Sequence, residues 1–223
     1  MRYPHILIFA ILLTVIVIFL NRRQFLQPPI LGNLHTHTTC SDGEDDYEAM
    51  VQSALKFNFK FIAITDHKIC PEVIKRCLTE TRLYCIPGLE ITSNRTHLLA
   101  LNITKTINPY QPLKNQVAEI HALGGLAIAA HPYVEKFEYT TSELTDSGLD
   151  AMECTATLNE PHPLPCIFTS DAHNAPSLKF QFLSCPVKIE TFSDLKNSVI
   201  SRLCSRSFLP SFNLLRPTPH QLN

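Results

Sequence analysis

The run Leu34-His35-Thr36-His37-Thr38-Thr39-Cys40-Ser41-Asp42-Gly43 organises the reading of this chain. It follows a short apolar run, Pro29-Ile30-Leu31, broken by Gly32-Asn33. Read as a strand, the spacing sends the His35 and His37 side chains out of the same face. Two imidazoles side by side at a strand's end can hold one divalent cation. Ser41-Asp42-Gly43 is a turn signal, and it puts the Asp42 carboxylate within reach of a neighbouring ion. A lone H-x-H also reads as two polar residues on a surface strand, so the weight falls on what the rest of the chain adds.

Moving outward, Tyr47 to Lys56 carries apolar residues at helical spacing. Phe59 to Ile64 reads as a strand ending at Thr65-Asp66-His67, and Pro71 to Thr79 as a short helix with proline in its first turn. Tyr84 to Ile91 is a strand-like run ending in Glu90-Ile91, and His97 to Ile103 is another strand. Pro112 to Leu123 is a helix stopped by Gly124-Gly125. Leu126 to Ala130 is a buried strand ending at His131-Pro132. Ala151 to Cys154 and Cys166 to Thr169 are short strands, the second ending at Ser170-Asp171-Ala172-His173. Val187 to Ile189 is expected as a last strand and Phe192 to Leu203 as a last helix.

Strands separated by helices argue for a parallel sheet, and seven or so such units for a closed barrel. Barrels of this kind gather their functional groups at the carboxyl ends of the strands. His35/His37, Asp66/His67, Glu90, His131 and Asp171/His173 all fall there; His97 is the exception, because it precedes its strand. A body of roughly 190 residues is short of the about 250 usual for eight units, so some helices should be abbreviated or missing.

The 223 residues carry a net charge of -1 with 17% charged residues, so charge indicates neither a basic nucleic-acid surface nor an acidic tail. The eight cysteines contain no C-x-x-C, and Cys70, Cys77 and Cys85 are too widely spaced for a zinc ribbon. Buried free thiols are the expectation for most of them; an even count also permits disulfides in an exported domain.

Ile6 to Leu20 is apolar apart from Thr14. It makes roughly 22 Å of helix against about 30 Å of hydrocarbon. Asn21-Arg22-Arg23-Gln24 follows in place of a cleavage site. The expectation is an uncleaved N-terminal transmembrane helix within residues 1–22, a linker over 23–30, a barrel over 31–210 and a tail over 211–223. Arg22 and Arg23 after the span favour a membrane-anchored body on the cytoplasmic side. No protein partner is indicated.

Together, His35, His37, Asp42, His67, Glu90, His97, His131, Asp171 and His173 are nitrogen and oxygen donors suited to zinc, manganese or iron. Eight of them lie in His35-Thr36-His37-Thr38-Thr39-Cys40-Ser41-Asp42-Gly43, Ile64-Thr65-Asp66-His67, Pro87-Gly88-Leu89-Glu90-Ile91-Thr92, Ala130-His131-Pro132 and Ser170-Asp171-Ala172-His173-Asn174, and His97 opens His97-Leu98-Leu99-Ala100-Leu101-Asn102. In this order they resemble the motifs of the PHP (polymerase and histidinol phosphatase) family, over about residues 32 to 205. The resemblance implies a distorted (β/α)7 TIM-like barrel of α/β class, up to three divalent metal ions, and hydrolysis of phosphate esters.

Carried over residue by residue, it implies that His35, His37 and Asp171 hold a first ion and share Glu90 with a second. His97 and His131 would complete the second, and Asp42, His67 and His173 would hold the third. Aspartate at position 42 is similar to the nucleotide and oligonucleotide branch of the family. The 34 positions from His97 to His131 and the 40 from His131 to Asp171 leave little room for the insertion several such members carry. That weighs against a lid subdomain and a nucleic-acid substrate; the expected partner is a small phosphorylated substrate, with a nucleotide or short oligonucleotide as candidates.

The expected nucleophile is a water bridging two ions and deprotonated near neutral pH. The leaving group's acid is left open between His131 and a second water. Arg95 and Lys68 could meet phosphate oxygens or be solvated loop charges, and Glu153 could orient a ligand from behind. No G-x-S-x-G is present, which argues against acyl-enzyme chemistry. Two alternatives are a metal-dependent amidohydrolase, whose strand-end lysine is not found here, and a non-catalytic, membrane-tethered metal-binding module.

Overall fold

Odd and even residues of the central strands part to opposite faces, as pleating requires. Phe61 and Ala63 join one buried cluster while Ile62 and Ile64 join another; Leu99 and Leu101 part in the same way from Leu98 and Ala100. In the computed structural model, which describes residues 28–93, 95–134, 138–154 and 162–207 (205–207 by backbone only), these strands belong to one sheet. They are β1 (Ile30–Asn33), β2 (Phe59–Ile64), β3 (Tyr84–Thr92), β4 (His97–Leu101), β5 (Leu126–Ala130), β6 (Ala151–Glu153), β7 (Cys166–Ile167), β8 (Phe182–Cys185) and β9 (Ser205–Ser207). Their spatial order is β7-β6-β5-β4-β3-β2-β1-β8-β9.

The sheet curls into a nearly closed barrel. Past the ends of β7 and β1, Thr36 bridges to Ala172: the His37 N–H donates to the Ala172 carbonyl at 2.9 Å and the Ala172 N–H to that of His35 at 3.3 Å. Asn33 Nδ2 adds a bond to Ser170 Oγ at 2.7 Å. One cluster collects Leu34, Phe61, Ile86, Leu99, Ile128, Ala151, Ile167 and Leu183, one residue from each part of the wall, and so fills the barrel. The outer face is covered by α1 (Tyr47–Lys56), α2 (Pro71–Leu78), α3 (Leu113–Ala122) and α4 (Thr141–Asp146), with a 3-10 turn at Ala175–Lys179. α5 (Phe192–Ile200) packs Leu195 and Val199 into the barrel cluster. In α1, Tyr47, Met50, Val51 and Ala54 are buried, a helical stripe, and Asp46 caps its first turn.

The expected distorted (β/α)7 barrel departs from parallel pairing at β4, which runs antiparallel to both β3 and β5. The cause is length. Only residues 93–96 separate β3 from β4, whereas a parallel crossover needs about a dozen or more. The last-strand expectation at Val187–Ile189 also fails. β8 lies before it at Phe182–Cys185, antiparallel to β1, and stops before Pro186, which has no N–H to continue the ladder; the last strand described is β9, paired with β8.

The expected N-terminal transmembrane helix, and the membrane-anchored location that went with it, is corrected. No helix among the described residues is long and apolar enough to cross a membrane. The longest have ten residues, about 15 Å of rise against about 30 Å of hydrocarbon. Residues 1–22, most of the linker and the tail at 211–223 lie outside the described residues. The free-thiol expectation is also overturned. All eight cysteines pair, as Cys40–Cys70, Cys77–Cys85, Cys154–Cys166 and Cys185–Cys204.

Candidate metal centre

The nine expected residues converge at one end of the barrel, and the reversed strand explains the one that looked misplaced. Because β4 is antiparallel, its amino end lies beside the carboxyl ends of its neighbours. His97 pairs in register with Thr92 on one side and Ala130 on the other. Glu90 shares the alternation of Ile86, which faces the barrel interior. Its side chain, 2% exposed, therefore closes the barrel core from above. His131 and Asp171 have φ of 30° and 48°, in the left-handed region that non-glycine residues rarely adopt. Strain of this kind concentrates at functional sites.

Glu90 joins two groups of nitrogen ligands. One carboxylate oxygen, Oε1, accepts from His97 Nδ1 at 2.8 Å and His131 Nε2 at 3.1 Å. The other, Oε2, lies 3.0 Å from His35 Nε2 and 3.1 Å from His37 Nε2. Asp171 Oδ1 approaches the same two nitrogens at 3.1 and 3.2 Å. A third group forms around Asp42, whose oxygens stand 3.4 Å from His37 Nδ1, 3.4 Å from His67 Nε2 and 3.3 Å from His173 Nε2. Three clusters capable of holding a metal follow: Glu90, His97 and His131; His35, His37, Glu90 and Asp171; His37, Asp42, His67 and His173. Glu90 links the first two and His37 the last two. The His35 and His37 side chains are 0% exposed, whereas Asp42 is 50% and His173 38% exposed, so the site opens to solvent beside Asp42.

The packing behind these ligands orients them. Glu153, 6% exposed, accepts from His35 Nδ1 at 2.8 Å through one oxygen and from the His131 backbone N–H at 2.7 Å through the other, while the Thr169 hydroxyl donates to it as well. That contact fixes His35 with Nδ1 as donor and Nε2 turned toward the cluster. The Tyr139 hydroxyl donates to the His97 carbonyl, a contact that no spacing in the sequence signals. Buried Asp66 belongs to none of the three clusters. It accepts from the Thr38 N–H and hydroxyl, both at 2.8 Å, and from Ser41 Oγ at 2.7 Å, pinning the turn that carries Asp42. Gly43 is required in that turn, since a Cβ there would lie 2.7 Å from the His37 carbonyl carbon. Arg95, left open between a phosphate contact and a loop charge, pairs with Glu143 and donates to the Glu138 carbonyl. Lys68 is exposed.

Without metal, His35, His37 and His131 hold a proton more tightly than a free imidazole. Burial opposes a charged His35, but the carboxylates of Glu153, Glu90 and Asp171 outweigh it and raise its pKa well above 6.5. His37 and His131 are raised for the same kind of reason, burial being offset by Asp171 and Glu90 for one and by Glu90 and Glu153 for the other. Burial also disfavours ionised Glu90, yet His35, His131 and His37 hold it well below 4.5; Asp171 and Asp42 are lowered by their imidazoles. The donor set fits divalent ions. Imidazole nitrogens and carboxylate oxygens point at common centres, and the buried His37 Nδ1 and Asp171 Oδ1 make no well-formed hydrogen bond. Cys154, His162 and Cys166 also converge, but their sulfurs are bonded to each other.

Comparison with known proteins agrees with this geometry. A family model, the PHP domain, matches residues 33–167. The 5'-3' exoribonuclease Rnm of Escherichia coli (strain K12) is 35% identical over 85 residues, covering 34% of this chain and 29% of its own length. The chain thus spans less than a third of that relative. Among solved structures, the lesion-specific endonuclease PfuEndoQ from Pyrococcus furiosus superposes with a TM-score of 0.65 at 16% identity, over 78% of this chain and 56% of that one. PsfC from Pseudomonas syringae gives 0.63 at 17%, over 82% and 93%. A two-domain protein from Bacteroides vulgatus containing a predicted PHP-like metal-dependent phosphoesterase gives 0.58 at 14%, over 81% and 65%. At these identities the structures speak to the fold.

Proposed function

The chain belongs to the PHP domain family, and on that footing we propose that it is a metal-dependent phosphoesterase acting on a nucleotide or a short oligonucleotide. The observation that carries the reading is Glu90: a buried carboxylate whose two oxygens each face a different pair of imidazoles. A buried acid so surrounded, with six histidines and two further carboxylates in the same row, is built to share its charge between adjacent cations.

We assign His35, His37, Glu90 and Asp171 to a first ion, Glu90, His97 and His131 to a second, and Asp42, His67 and His173 to a third. Zinc, manganese and iron are the candidates. Divalent ions bound there supply Lewis acidity and lower the pKa of a water from 15.7 toward about 7. The residues of the chain do the rest. Glu90 and Asp171 fix the spacing of the charges, and Glu153 holds His35 in one tautomer. The half-exposed Asp42, His67 and His173 form the mouth through which a phosphate arrives. The 35% identity over 85 residues to a 5'-3' exoribonuclease supports a nucleotide-type substrate.

The test uses the full chain, stripped of metal and reloaded with manganese or zinc. It is assayed on bis(p-nitrophenyl) phosphate, nucleoside monophosphates and short oligonucleotides. Metal-dependent hydrolysis is expected, and Glu90→Gln should lower it by about a hundredfold or more while leaving the circular dichroism spectrum intact. Hydrolysis that survives chelation, or persists in the variant, refutes the assignment.

A further inference from the structure

We propose that the Cys40–Cys70 disulfide is a positioning element for the outermost ion site; the inference rests on the three-ion reading above. Cys40 stands two residues before Asp42 and Cys70 three after His67, so the bridge staples together the two loops that carry these ligands. Glu90 and His97 sit on strands, whereas Asp42 rides on an exposed loop as the one carboxylate of its cluster. Its oxygens must stay within 3.4 Å of three imidazoles. Hydrogen bonds also hold this loop: the Ser41 and Gly43 N–H groups donate to the Thr38 carbonyl at 3.0 Å, Ser41 Oγ donates to Asp66 at 2.7 Å and the Glu44 N–H to the His173 carbonyl at 2.6 Å; the disulfide adds a covalent tie that reaches past His67 to residue 70. A covalent link between residues 40 and 70 restricts how far Asp42 can swing from His67.

The bridge is also the one most open to reductant. Both of its cysteines are partly exposed, whereas each of the other three pairs has at least one cysteine 2% exposed or less. A dithiol reductant would pass two electrons and two protons to it. The sulfur–sulfur bond would break, two thiols would form, and the reductant would close its own disulfide. The outer site would then loosen while the two inner sites, framed by strand ends, keep their ligands. Ion occupancy at the mouth is thereby tied to the redox state of the surroundings.

The experiment measures bound metal by elemental analysis and affinity by calorimetric titration with manganese and zinc. It compares the oxidised full chain, C40S/C70S, and C77A/C85A as the control bridge. The expected result is three ions on the oxidised chain and on the control. C40S/C70S should keep two ions at unchanged affinity and bind the third about tenfold or more weakly. A third ion held equally tightly by C40S/C70S overturns the inference, as does equal weakening in a folded control. Fewer than three ions on the oxidised chain would instead defeat the three-ion reading. Should either variant fail to fold, the oxidised chain is titrated before and after mild dithiothreitol treatment that opens only this bridge, confirmed by mass spectrometry of alkylated peptides. The same two results then decide.

Discussion

Glu153 holds two ligands by different handles, the Nδ1 of His35 and the backbone N–H of His131. Removing it would leave a buried imidazole N–H without its acceptor, which costs about 1–3 kcal/mol. It would also free His35 to adopt the other tautomer, whose Nε2 carries a proton and cannot bind a cation. Glu153→Ala should therefore weaken metal binding by about 10–100-fold, read by competition with a chromophoric chelator. Glu153→Gln keeps an acceptor oxygen and should recover part of the loss. Unchanged affinity in Glu153→Ala would remove the residue from the site. The His131 backbone, at φ 30°, is held in its strained conformation partly by this same carboxylate. Glu153 was legible in the sequence as a carboxylate at a strand end. Its two partners were not, because they depend on how β6 packs beside β5.

Among the elements, α5 is fastened at its start by a reciprocal cap. Thr191 Oγ1 accepts from the Asp194 N–H at 3.2 Å, and Asp194 Oδ2 accepts from the Thr191 N–H at 2.8 Å. Thr191→Ala should cost about 1 kcal/mol, seen as a lower denaturant midpoint with unchanged metal stoichiometry; altered metal binding would mean that α5 reaches further into the site than its packing shows. Helix α1 was legible from its apolar spacing, α2 from the proline in its first turn and α3 from the Gly124-Gly125 stop; α1 and α3 each bury one stripe against the sheet. Strand direction was not legible. His97 looked out of place until β4 proved antiparallel, and the clue was the four-residue connection at 93–96, too short for any crossover. β8 was missed because Phe182–Cys185 pairs with β1 across 150 residues of chain, a contact no local pattern reports. The cysteine pairings share that difficulty: Cys40 meets Cys70 only because the loops after β1 and β2 rise side by side.

Across the whole molecule, the ion centre sets how stability responds to pH. In the metal-free chain, imidazoles with raised pKa contribute stability that is complete below their ordinary 6.5 and is lost as pH rises through the higher folded values. Glu90 and Asp171, lowered from 4.5 and 3.8, contribute stability present above those ordinary values and lost as pH falls through the depressed ones. The metal-free protein should thus be most stable between about 4.5 and 6.5 and weaken toward pH 8.5. Metal reverses the slope. Ligation needs neutral imidazoles and ionised carboxylates, so binding releases protons and tightens as pH rises. Thermal denaturation with chelator and with manganese or zinc at pH 6, 7 and 8.5 should show the metal-free Tm falling across the series and the gain from metal growing. A metal-free Tm that climbs from pH 6.5 to 8.5, or a gain from metal that is larger at pH 6, would mean that these imidazoles and acids do not titrate as one cluster. The convergence on Glu90 would then be packing without a shared cation.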